Sequence, residues 1–545
     1  MGHADFEIKG NIVDVVGKRI FKGTMVVSGG KVHAIREEAV SAEEYILPGL
    51  IDAHIHIESS MLIPSEFARL AVVHGTVGSV SDPHEIANVL GVPGVRFMIE
   101  NGNMVPFKFN FGAPSCVPAT PFETAGGELG VAEVEELLQM PEIKYLSEMM
   151  NFPGVLFDDP VVMAKLALAA KAGKPVDGHA PGLSGAGVRK YIAAGISTDH
   201  ECFTIEEAIE KIGFGMHILI REGSAAKNFE TLYPLIDQYP DMVMLCSDDQ
   251  HPDDLAGGHI NLVVKRAVAK GLDVINVLRS CTFNPVKHYN LGIGLLQPGD
   301  AADFICVSNL ADFEILSTFI DGEKVSENGI SLIPSIMAVP FNNFNTGPVL
   351  QEEIRVVPAD GQLRVQRAFD GQLITQMVLA EPLVVNGNVV SDPGRDILKM
   401  VVKNRYYDAP AAVGFIQHVG LKRGALASCV AHDSHNIVAV GVDDASIAEA
   451  INMIITARGG ISLVDGETRM LLSLPFAGIM SGDNGYDVAR LYEQMDIRAR
   501  EMGSTLSAPY MTLSFMALLV IPEIKLSDKG LFDGTRFGFM TLFGK

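Results

Sequence analysis

The strongest constraint on the fold is a series of eight short β-rich runs, each followed by a helical stretch. The helical stretches are clearest at Val161 to Ala172 and at Asp273 to Ser280, where apolar residues recur at i, i+3 and i+4. Eight β-then-α units over about 250 residues match a closed parallel barrel, whose active sites lie at the C-terminal ends of the strands. We therefore predict an α/β fold with a (β/α)8 TIM-type barrel over residues 48–298.

The β-rich runs end at residues that can carry chemistry. The C-terminal ends of parallel barrel strands share one face, so side chains at these ends are expected to lie together. In chain order, the runs end near His54, Asp82, Cys116, Glu148, His179, His200, Glu222 and Asp248.

The sharpest local motif is the pair His54 and His56 at the end of the first run. Residues two apart on a strand point to the same side, so two imidazoles can face one metal ion. Taken alone, such a pair is more often two half-buried histidines than a metal site. With the strand-end residues, the candidate ligands become His54, His56, Glu148, His179, His200 and Asp248. Four imidazoles and two carboxylates exceed what one four-coordinate ion uses, and a bridging carboxylate suits a two-metal site.

Segments on both sides of the barrel predict a small β-sandwich. Thr24 to Val27 and Lys31 to Ile35 are short strands separated by Gly turns, and a similar texture returns from Gly299 to Val325. The first segment alone is too short to bury both faces of a sheet. Residues 1–47 and 299–340 are therefore expected to form one β-sandwich domain.

A further domain is expected after the barrel. The Asn-rich stretch Phe341 to Pro348 predicts a linker, and residues 349–545 predict a C-terminal α+β domain. Its expected strands and helices are Ile354 to Val357, Ile437 to Val442, Ile447 to Arg458 and Tyr486 to Met502. The apolar run Phe515 to Ile521 is far shorter than the roughly 20 residues of a membrane span, so we expect core strand there.

Charge and cysteine content limit the partners and the compartment. Lys and Arg number 42 against 66 Asp and Glu, and a net charge of −24 argues against nucleic acid or an anionic membrane as a partner. A small-molecule substrate is expected instead. The first residues show no secretory signal, and six cysteines without a C-x-x-C pair are typical of a reducing compartment, so we expect a cytoplasmic location.

These residues together resemble the amidohydrolase superfamily of metal-dependent hydrolases and, within it, the adenine deaminase family of bacteria and archaea. The narrower resemblance covers most of the chain, and it rests on His56 to Met61, Asp82 to Val89, Ser147 to Val155, Ile220 to Ala226, Ser247 to Pro252, His432 to Asn436 and Val520 to Leu526.

The resemblance implies a role for each candidate ligand. His54 and His56 are expected to bind the more buried ion, and His179 and His200 the second. Glu148 is expected to bridge the two ions, at a position where many relatives carry a carboxylated Lys. Asp248 is expected to be both ligand and proton carrier. The family implies Mn²⁺ or Fe²⁺ as the two divalent ions, with Zn²⁺ compatible with the same donors.

The implied reaction is hydrolytic deamination of adenine to hypoxanthine and ammonia, in purine salvage or catabolism. A hydroxide activated by the two ions attacks C6, with Asp248 carrying the proton. The proton that a ring nitrogen needs could come from His84, Glu85, Glu58 or Glu222, and the sequence does not choose among them. Further expected substrate contacts are Ser59, Asp82 and Arg221.

Several local alternatives stay open at this point. Asp82 could cap a helix that starts at His84, and Arg221 could form a structural ion pair with Glu222. Asp249 competes with Asp248, because adjacent strand residues face opposite ways. The segment His432 to His435 is more typical of a hydrogen-bonded turn than of a metal site.

Two other functions remain to be weighed. The first is a cyclic-amide hydrolase of the dihydropyrimidinase or allantoinase kind, against which the missing strand-4 Lys speaks. The second is a scaffold without activity, which the six filled ligand positions disfavour. The family also suggests a homodimer or a higher homo-oligomer.

Overall fold

The first four strands form part of a sheet that is completed by strands much later in the chain. They are β1 (Phe6–Asp14), β2 (Arg19–Ser28), β3 (Lys31–Glu37) and β4 (Tyr45–Pro48). In this computed structural model, which describes residues 5–224 and 226–544, β1 pairs with β2 and β2 with β3 in antiparallel fashion, while β4 joins β1 in parallel. The outer edge of β4 is left for a later partner.

The next eight strands run in parallel and form the barrel. They are β5 (Leu50–Ile55), β6 (Thr76–Ser81), β7 (Lys108–Ala113), β8 (Ile143–Met149), β9 (Val176–Gly178), β10 (Thr198–Asp199), β11 (His217–Arg221) and β12 (Val243–Cys246). Hydrogen bonding links β5 to β9 in one sheet and β10 to β12 in another. Parallel bridges of Val176 to Ile196 and of Ile55 to Asp248 join the two sheets at both seams. The predicted barrel is thereby confirmed.

Helices follow the barrel strands and cover them. They are α1 (Pro64–Ala71), α2 (His84–Leu90), α3 (Val92–Gly102), α4 (Val131–Leu138), α5 (Phe152–Leu156), α6 (Pro160–Ala172), α7 (Gly185–Ala193), α8 (Ile205–Gly213), α9 (Phe229–Leu232), α10 (Leu235–Gln238), α11 (Pro252–Gly257), α12 (Ile260–Ala269), α13 (Val274–Ser280) and α14 (Phe283–Tyr289). Both helices expected from apolar periodicity are confirmed as α6 and α13. Each is capped by an Asp, Asp159 and Asp273, whose carboxylate accepts from two backbone N–H groups of the first turn.

The chain then returns to the first sheet. Strands β13 (Phe304–Val307), β14 (Ile315–Ile320), β15 (Glu323–Glu327) and β16 (Ile330–Ser331) follow the barrel, and β13 pairs antiparallel with β4. The result is one eight-stranded sheet in the order β16-β15-β14-β13-β4-β1-β2-β3. A turn at Asp321 and Gly322 connects β14 to β15, and both residues have positive φ.

The C-terminal part has a larger sheet of its own. The strands of the C-terminal part, not all of them in that sheet, are β17 (Gln362–Arg367), β18 (Gln376–Ala380), β19 (Leu383–Val385), β20 (Asn388–Val390), β21 (Ile397–Lys403), β22 (Ala412–Gln417), β23 (Ala425–Ser428), β24 (Ile437–Gly441), β25 (Gly460–Asp465), β26 (Thr468–Ser473), β27 (Ile524–Ser527), β28 (Gly530–Asp533), β29 (Gly538–Phe539) and β30 (Phe543–Gly544). Its helices are α15 (Asp444–Ala457), α16 (Gly485–Glu501) and α17 (Pro509–Ser514). The main sheet has nine strands, with α15 packed on it. The α+β prediction is confirmed.

Two local expectations in this part are wrong. Residues Gln351–Ile354 form a 3-10 turn, whose first N–H is bonded by the Glu353 carboxylate, and only Val356 makes an isolated bridge, so Ile354 to Val357 is not a strand. Phe515 to Ile521 follows α17 as irregular turns, because these apolar side chains pack inward without a strand partner.

The C-terminal part packs onto the barrel face that carries the strand ends. Backbone bonds join Ser481 to Met61 and Ile63, just after β5, at 2.8 and 3.0 Å. One apolar core runs without a break from barrel residues such as Ile55 and Ile86 to C-terminal residues such as Met480 and Met511. Across the described ranges, we find no helix with both the length and the apolar character needed to cross a membrane.

Candidate active site

The six predicted ligands converge at one end of the barrel. His54 lies on β5 with His56 just after it, Glu148 lies on β8, and His179, His200 and Asp248 follow β9, β10 and β12. The parallel strands bring these ends to one face, as expected. All six side chains are buried except that of His179, which is 20% exposed.

Glu148 lies between two groups of imidazoles. Its Oε1 is 3.5 Å from His56 Nε2, whereas its Oε2 is 2.9 Å from His179 Nδ1 and 3.2 Å from His200 Nε2. Each oxygen therefore faces a different set of nitrogen donors. This is the arrangement that a carboxylate bridging two ions needs.

Asp248 completes the first of these groups. Its Oδ1 is 3.2 Å from His56 Nε2 and 3.6 Å from His54 Nε2. Ligand-type atoms of His54, His56 and Asp248 lie within 4.8 Å of one another, as do those of His54, Glu148 and His200. The donors are nitrogen and oxygen only, a set that fits Mn²⁺, Fe²⁺ and Zn²⁺ alike.

His54 provides a direct test of whether these residues fit metal ions. Its ring is fully buried, and neither ring nitrogen has a hydrogen-bond partner among the described residues. A buried imidazole without partners is costly and needs an explanation in a native fold. A metal ion held at this position supplies a partner for one of the two nitrogens, so the residues fit the group.

Neighbouring charges keep both carboxylates ionised. Burial alone would raise the pKa of Glu148, but His179 and His200 beside it hold that pKa well below its ordinary value. Burial would likewise raise the pKa of Asp248, but Arg221, His54 and His56 hold it well below the usual range. Both residues can therefore act as charged ligands.

Arg221 holds the outer side of Asp248. Its Nη1 donates to Asp248 Oδ2 at 2.6 Å, and its Nη2 donates to Glu201 Oε2 at 3.0 Å. Glu222 points elsewhere, to Arg266 Nη1 at 2.6 Å, and it does not line the cavity. Arg221 is thus in an ion pair, but not in the one with Glu222 that the sequence suggested.

The rivalry between Asp248 and Asp249 has a geometric answer. Asp248 Oδ1 faces two histidines, whereas Asp249 Oδ1 accepts from Ser59 Oγ at 2.5 Å. Asp248 has a φ of +58°, in the left-handed region that non-glycine residues rarely adopt. This backbone turn directs Asp248 to the imidazoles.

The segment after β6 enters the site as well. His84 Nδ1 is 3.1 Å from Asp82 Oδ2 and 3.5 Å from Glu148 Oε1. Helix α2 does begin at His84, but no side chain caps it, so Asp82 orients the His84 ring and does not cap the helix. Glu58 is buried apart from the cavity, where Oε1 accepts from Ile86 N at 3.1 Å and burial raises its pKa to about 7.

Two groups of cavity residues are not among the predicted site residues. Glu201, next to His200, has its Oε1 3.5 Å from both His179 Nδ1 and His200 Nε2. Its position directly after a predicted ligand was the available signal. His432 and Asp433 of the C-terminal part also line the cavity, and His432 Nδ1 contacts Glu85 Oε1. No local pattern in the sequence links them to the barrel.

The cavity itself lies between the barrel and the C-terminal part. Its barrel side holds the charged and imidazole groups described above. The other side is mainly apolar and consists of Leu373, Phe515, Leu518, Val520 and Ile521. Such an apolar enclosure with a few polar groups is typical of sites for small, flat ligands.

Comparisons with known proteins agree with this site. Residues 45–325 match the amidohydrolase family, and residues 372–538 match the adenine deaminase C-terminal domain. The barrel and its ligand set therefore make this chain a member of the amidohydrolase family.

The relatives narrow the assignment. An adenine deaminase from Methanosarcina mazei is 55% identical and is matched over 98% of this chain and 99% of its own length. Adenine deaminases from Sulfurovum sp. and Borreliella burgdorferi are 55% and 45% identical, again over 98% of this chain and 99% of theirs. Within the amidohydrolases, the chain belongs to the adenine deaminases.

Proposed function

We propose that this chain hydrolyses adenine to hypoxanthine and ammonia. The observation that carries the proposal is the convergence of four imidazoles and two carboxylates on a cavity closed by the adenine deaminase C-terminal domain. The apolar wall suits the faces of a purine, and the polar groups suit its edge. A role in purine salvage or catabolism follows from the reaction.

Two divalent ions are part of the proposal, with Mn²⁺ or Fe²⁺ as the first choice. His54, His56 and Asp248 would hold one, His179 and His200 the other, and Glu148 would bridge them. Ions bound there would lower the pKa of a coordinated water toward neutrality, which supplies hydroxide at neutral pH. Glu201 lies near His179 and accepts a hydrogen bond from Arg221, so its charge would add to the negative potential around the second ion.

Asp248 is the proposed proton carrier. Arg221 fixes its Oδ2, which leaves Oδ1 on the side of His54 and His56 to accept a proton from water. The ionised state that its surroundings favour is the state a general base needs at the start of the reaction. The same carboxyl then gives the proton to the departing amine.

The atoms balance as follows. The water oxygen bonds to C6, the C6–amine bond breaks, and the C6 carbonyl of hypoxanthine forms. One proton of the water leaves with the amine as ammonia, and the other balances the proton gained by the ring nitrogen beside C6. Of the four residues considered as ring-proton donors, only His84 and Glu85 line the cavity, while Glu58 and Glu222 do not.

Ammonia release from adenine tests the proposal. The full chain reconstituted with Mn²⁺ is expected to release ammonia from adenine, and a chelated sample is expected to lose the activity. A panel of adenosine, guanine, cytosine and dihydrouracil sets the specificity. If no ammonia were released from adenine but the ring of dihydrouracil were opened, the proposal would be contradicted and a cyclic-amide hydrolase favoured.

We also propose a cytoplasmic location and a homodimer or higher homo-oligomer. All six cysteines are buried and unpaired, which suits a reducing compartment. Light scattering of the purified chain would measure the oligomeric state.

A further inference from the structure

The part of the cavity wall that comes from the C-terminal sheet region contains two polar atoms without partners. His432 Nε2 and Asp433 Oδ2 are buried and have no hydrogen-bond partner among the described residues. Their residues are only 2% and 3% exposed, and both line the cavity. Buried polar atoms in native folds are almost always paired, so these two atoms point to a polar ligand in the cavity.

The other side of the His432 ring is held by Glu85. His432 Nδ1 contacts Glu85 Oε1, and the second oxygen of the same carboxylate, Oε2, is 2.5 Å from His435 Nε2. The backbone N–H of Ala431 donates to His435 Nδ1 at 3.2 Å, so the proton of a neutral His435 lies on Nε2 and points at Glu85. Both oxygens of Glu85 thus lie next to imidazoles of the C-terminal part, although the contact of Oε2 with His435 Nε2 lacks the geometry of a hydrogen bond.

Of the other candidate donors, His84 is held through Nδ1, and Glu58 and Glu222 are remote. His84 has Nδ1 3.1 Å from Asp82 Oδ2 and Nε2 3.5 Å from Glu85 Oε1. Glu58 and Glu222 lie outside the cavity lining. His432 Nε2 is a buried imidazole nitrogen in the wall that has no hydrogen-bond partner among the described residues.

The surroundings of His432 fix its plane and favour its charged form. Its ring stacks on Phe515, with 4.5 Å between centroids and 14° between planes. Burial would lower the pKa of His432, but three carboxylates raise it to about 9: Glu85 on α2, Asp249 after β12 and the adjacent Asp433. The nearby imidazoles are those of His435 and His251. An imidazolium held between Glu85 and the cavity is a proton donor ready for use.

We propose that His432 is a further catalytic residue, whose Nε2–H bonds to the purine ring nitrogen beside C6 and gives it a proton as the water oxygen adds to C6. Glu85 is then a positioning residue that acts through His432. The neutral His432 left behind then takes up a proton from solvent. This uptake balances the second proton that the attacking water releases when the C6 carbonyl forms. This inference rests on the proposed function.

Two substitutions of His432 separate a proton donor from a structural residue. Asn places an amide near the Nδ1 position and can keep the bond to Glu85, whereas Gln places one near the Nε2 position and can only donate a hydrogen bond. We expect His432→Asn and His432→Gln to lower kcat on adenine by about 10²- to 10⁴-fold, the usual contribution of a general acid. Bound metal and melting temperature are expected to stay close to those of the parent protein.

A second substrate provides a readout that a structural defect would not give. 6-Chloropurine has an electron-poor C6 and a leaving group that departs without a proton, so it depends less on protonation of the ring. The fall in kcat for both His432 variants is expected to be at least tenfold smaller on 6-chloropurine than on adenine. His435→Gln, which keeps a donor toward Glu85, is the matched control and is expected to lose less than about tenfold on adenine.

Three results with the His432 variants alone would overturn the proposal. They are a kcat on adenine within threefold of the parent in both His432 variants, an equal fall on both substrates, or loss of bound metal from both variants. A fall with Asp433→Asn but not with His432→Asn would assign the proton to Asp433 and would also refute it. If the parent protein releases no ammonia from adenine, the proposed function itself fails, and that result precedes any comparison of variants.

Discussion

At the scale of single residues, Glu148 has the most demanding position, because each of its oxygens faces a different group of imidazoles. Asp248 is the second such residue, since Arg221 holds one oxygen and two histidines face the other. Both depend on a negative charge in a buried place. Substitutions that keep shape but remove charge therefore test them most directly.

Glu148→Gln is expected to leave the fold intact and to lose most of the bound metal and activity. The amide keeps the volume of the carboxylate but cannot bridge two cations. The loss in metal affinity should exceed the about 10- to 100-fold loss that follows substitution of residues that only hydrogen-bond to metal ligands. Metal content by mass spectrometry and ammonia release measure it, and full metal with full activity would refute the bridging role.

Asp248→Asn is expected to keep at least one metal ion but to lower kcat by about 10²- to 10⁴-fold, because the amide cannot take a proton from water. Asp249→Asn is the comparison variant, since the Asp249 side chain lines the same cavity but accepts a hydrogen bond from Ser59 Oγ. Undiminished turnover in Asp248→Asn, with loss in Asp249→Asn, would exchange the two roles.

The sequence led to the six candidate ligands because a parallel barrel brings all its strand ends to one face. It singles out His432 to His435 only as a motif of the C-terminal part, because the position of His432 next to Glu85 depends on how a sheet about 350 residues later in the chain docks on the barrel. Glu222 shows the opposite error. Its place at the end of β11 was read correctly, but its side chain turns to Arg266.

At the scale of elements, the loops after β9 and β10 are held by a buried ion pair. Lys211 on α8 donates to Asp199 Oδ2 at 2.7 Å and to the Ala180 carbonyl at 2.8 Å, and both charged side chains are fully buried. Asp199 Oδ1 accepts from Ala180 N at 3.0 Å. This pair therefore connects the residues that neighbour His179 and His200.

Lys211→Met is expected to destabilise the protein by about 3–5 kcal/mol, because it leaves a buried carboxylate without its cation. It should also lower metal occupancy, since the two loops lose their connection. Lys190, whose pair with Asp158 is exposed, offers the control, and Lys190→Met should change stability by less than about 1 kcal/mol. Denaturant unfolding followed by fluorescence measures both, and equal effects would contradict the role of the pair.

Element prediction succeeded where packing is periodic and failed where it is not. The barrel strands and the helices α6, α13, α15 and α16 were all expected. The segment Phe515 to Ile521 is apolar throughout and was expected to be a core strand, but it lines the cavity and forms no strand. Composition alone does not distinguish a cavity wall from a buried strand. Ile354 to Val357 does not form a strand, because a turn that the Glu353 carboxylate stabilises occupies the start of this segment.

At the scale of the whole molecule, the contact between barrel and C-terminal part contains a buried acid, Asp496, and a half-buried one, Asp253. Asp253 lies on α11 and Asp496 on α16, two helices that pack together, and the carboxylates are near enough to repel each other. Burial, with Asp253 nearby, raises the pKa of Asp496 to about 7, although Arg500 opposes the shift. Asp496 Oδ1 has no hydrogen-bond partner among the described residues.

The raised pKa of Asp496 predicts how stability depends on pH. Between about pH 4 and pH 7, the folded protein binds the Asp496 proton more tightly than the unfolded chain does, so stability falls as pH rises and the loss is complete above pH 7. Asp496→Asn should therefore stabilise the protein at pH 8 by about 2–4 kcal/mol and have little effect near pH 4. Melting temperatures at both values test this, with the exposed Asp487→Asn as a control; equal shifts at both pH values would contradict it.

Removal of the C-terminal part is expected to abolish activity. A chain ending at Pro348 lacks the apolar wall and His432, and it exposes barrel side chains that share one core with the missing part. Such a chain should aggregate or release no ammonia from adenine. A soluble truncated barrel with full activity would show that the C-terminal part is dispensable.

The sheet shared by the two flanks of the barrel has a consequence for synthesis on the ribosome. Strand β4 must wait for β13, which is made roughly 250 residues later, or about 10–50 s at 5–20 residues per second. Until then, the growing chain carries an open strand edge, a known starting point for aggregation. The hairpins β1–β2 and β2–β3 can form at once, so the delay falls on β4 alone, and the speed of translation through the barrel sets how long that edge needs protection by a chaperone.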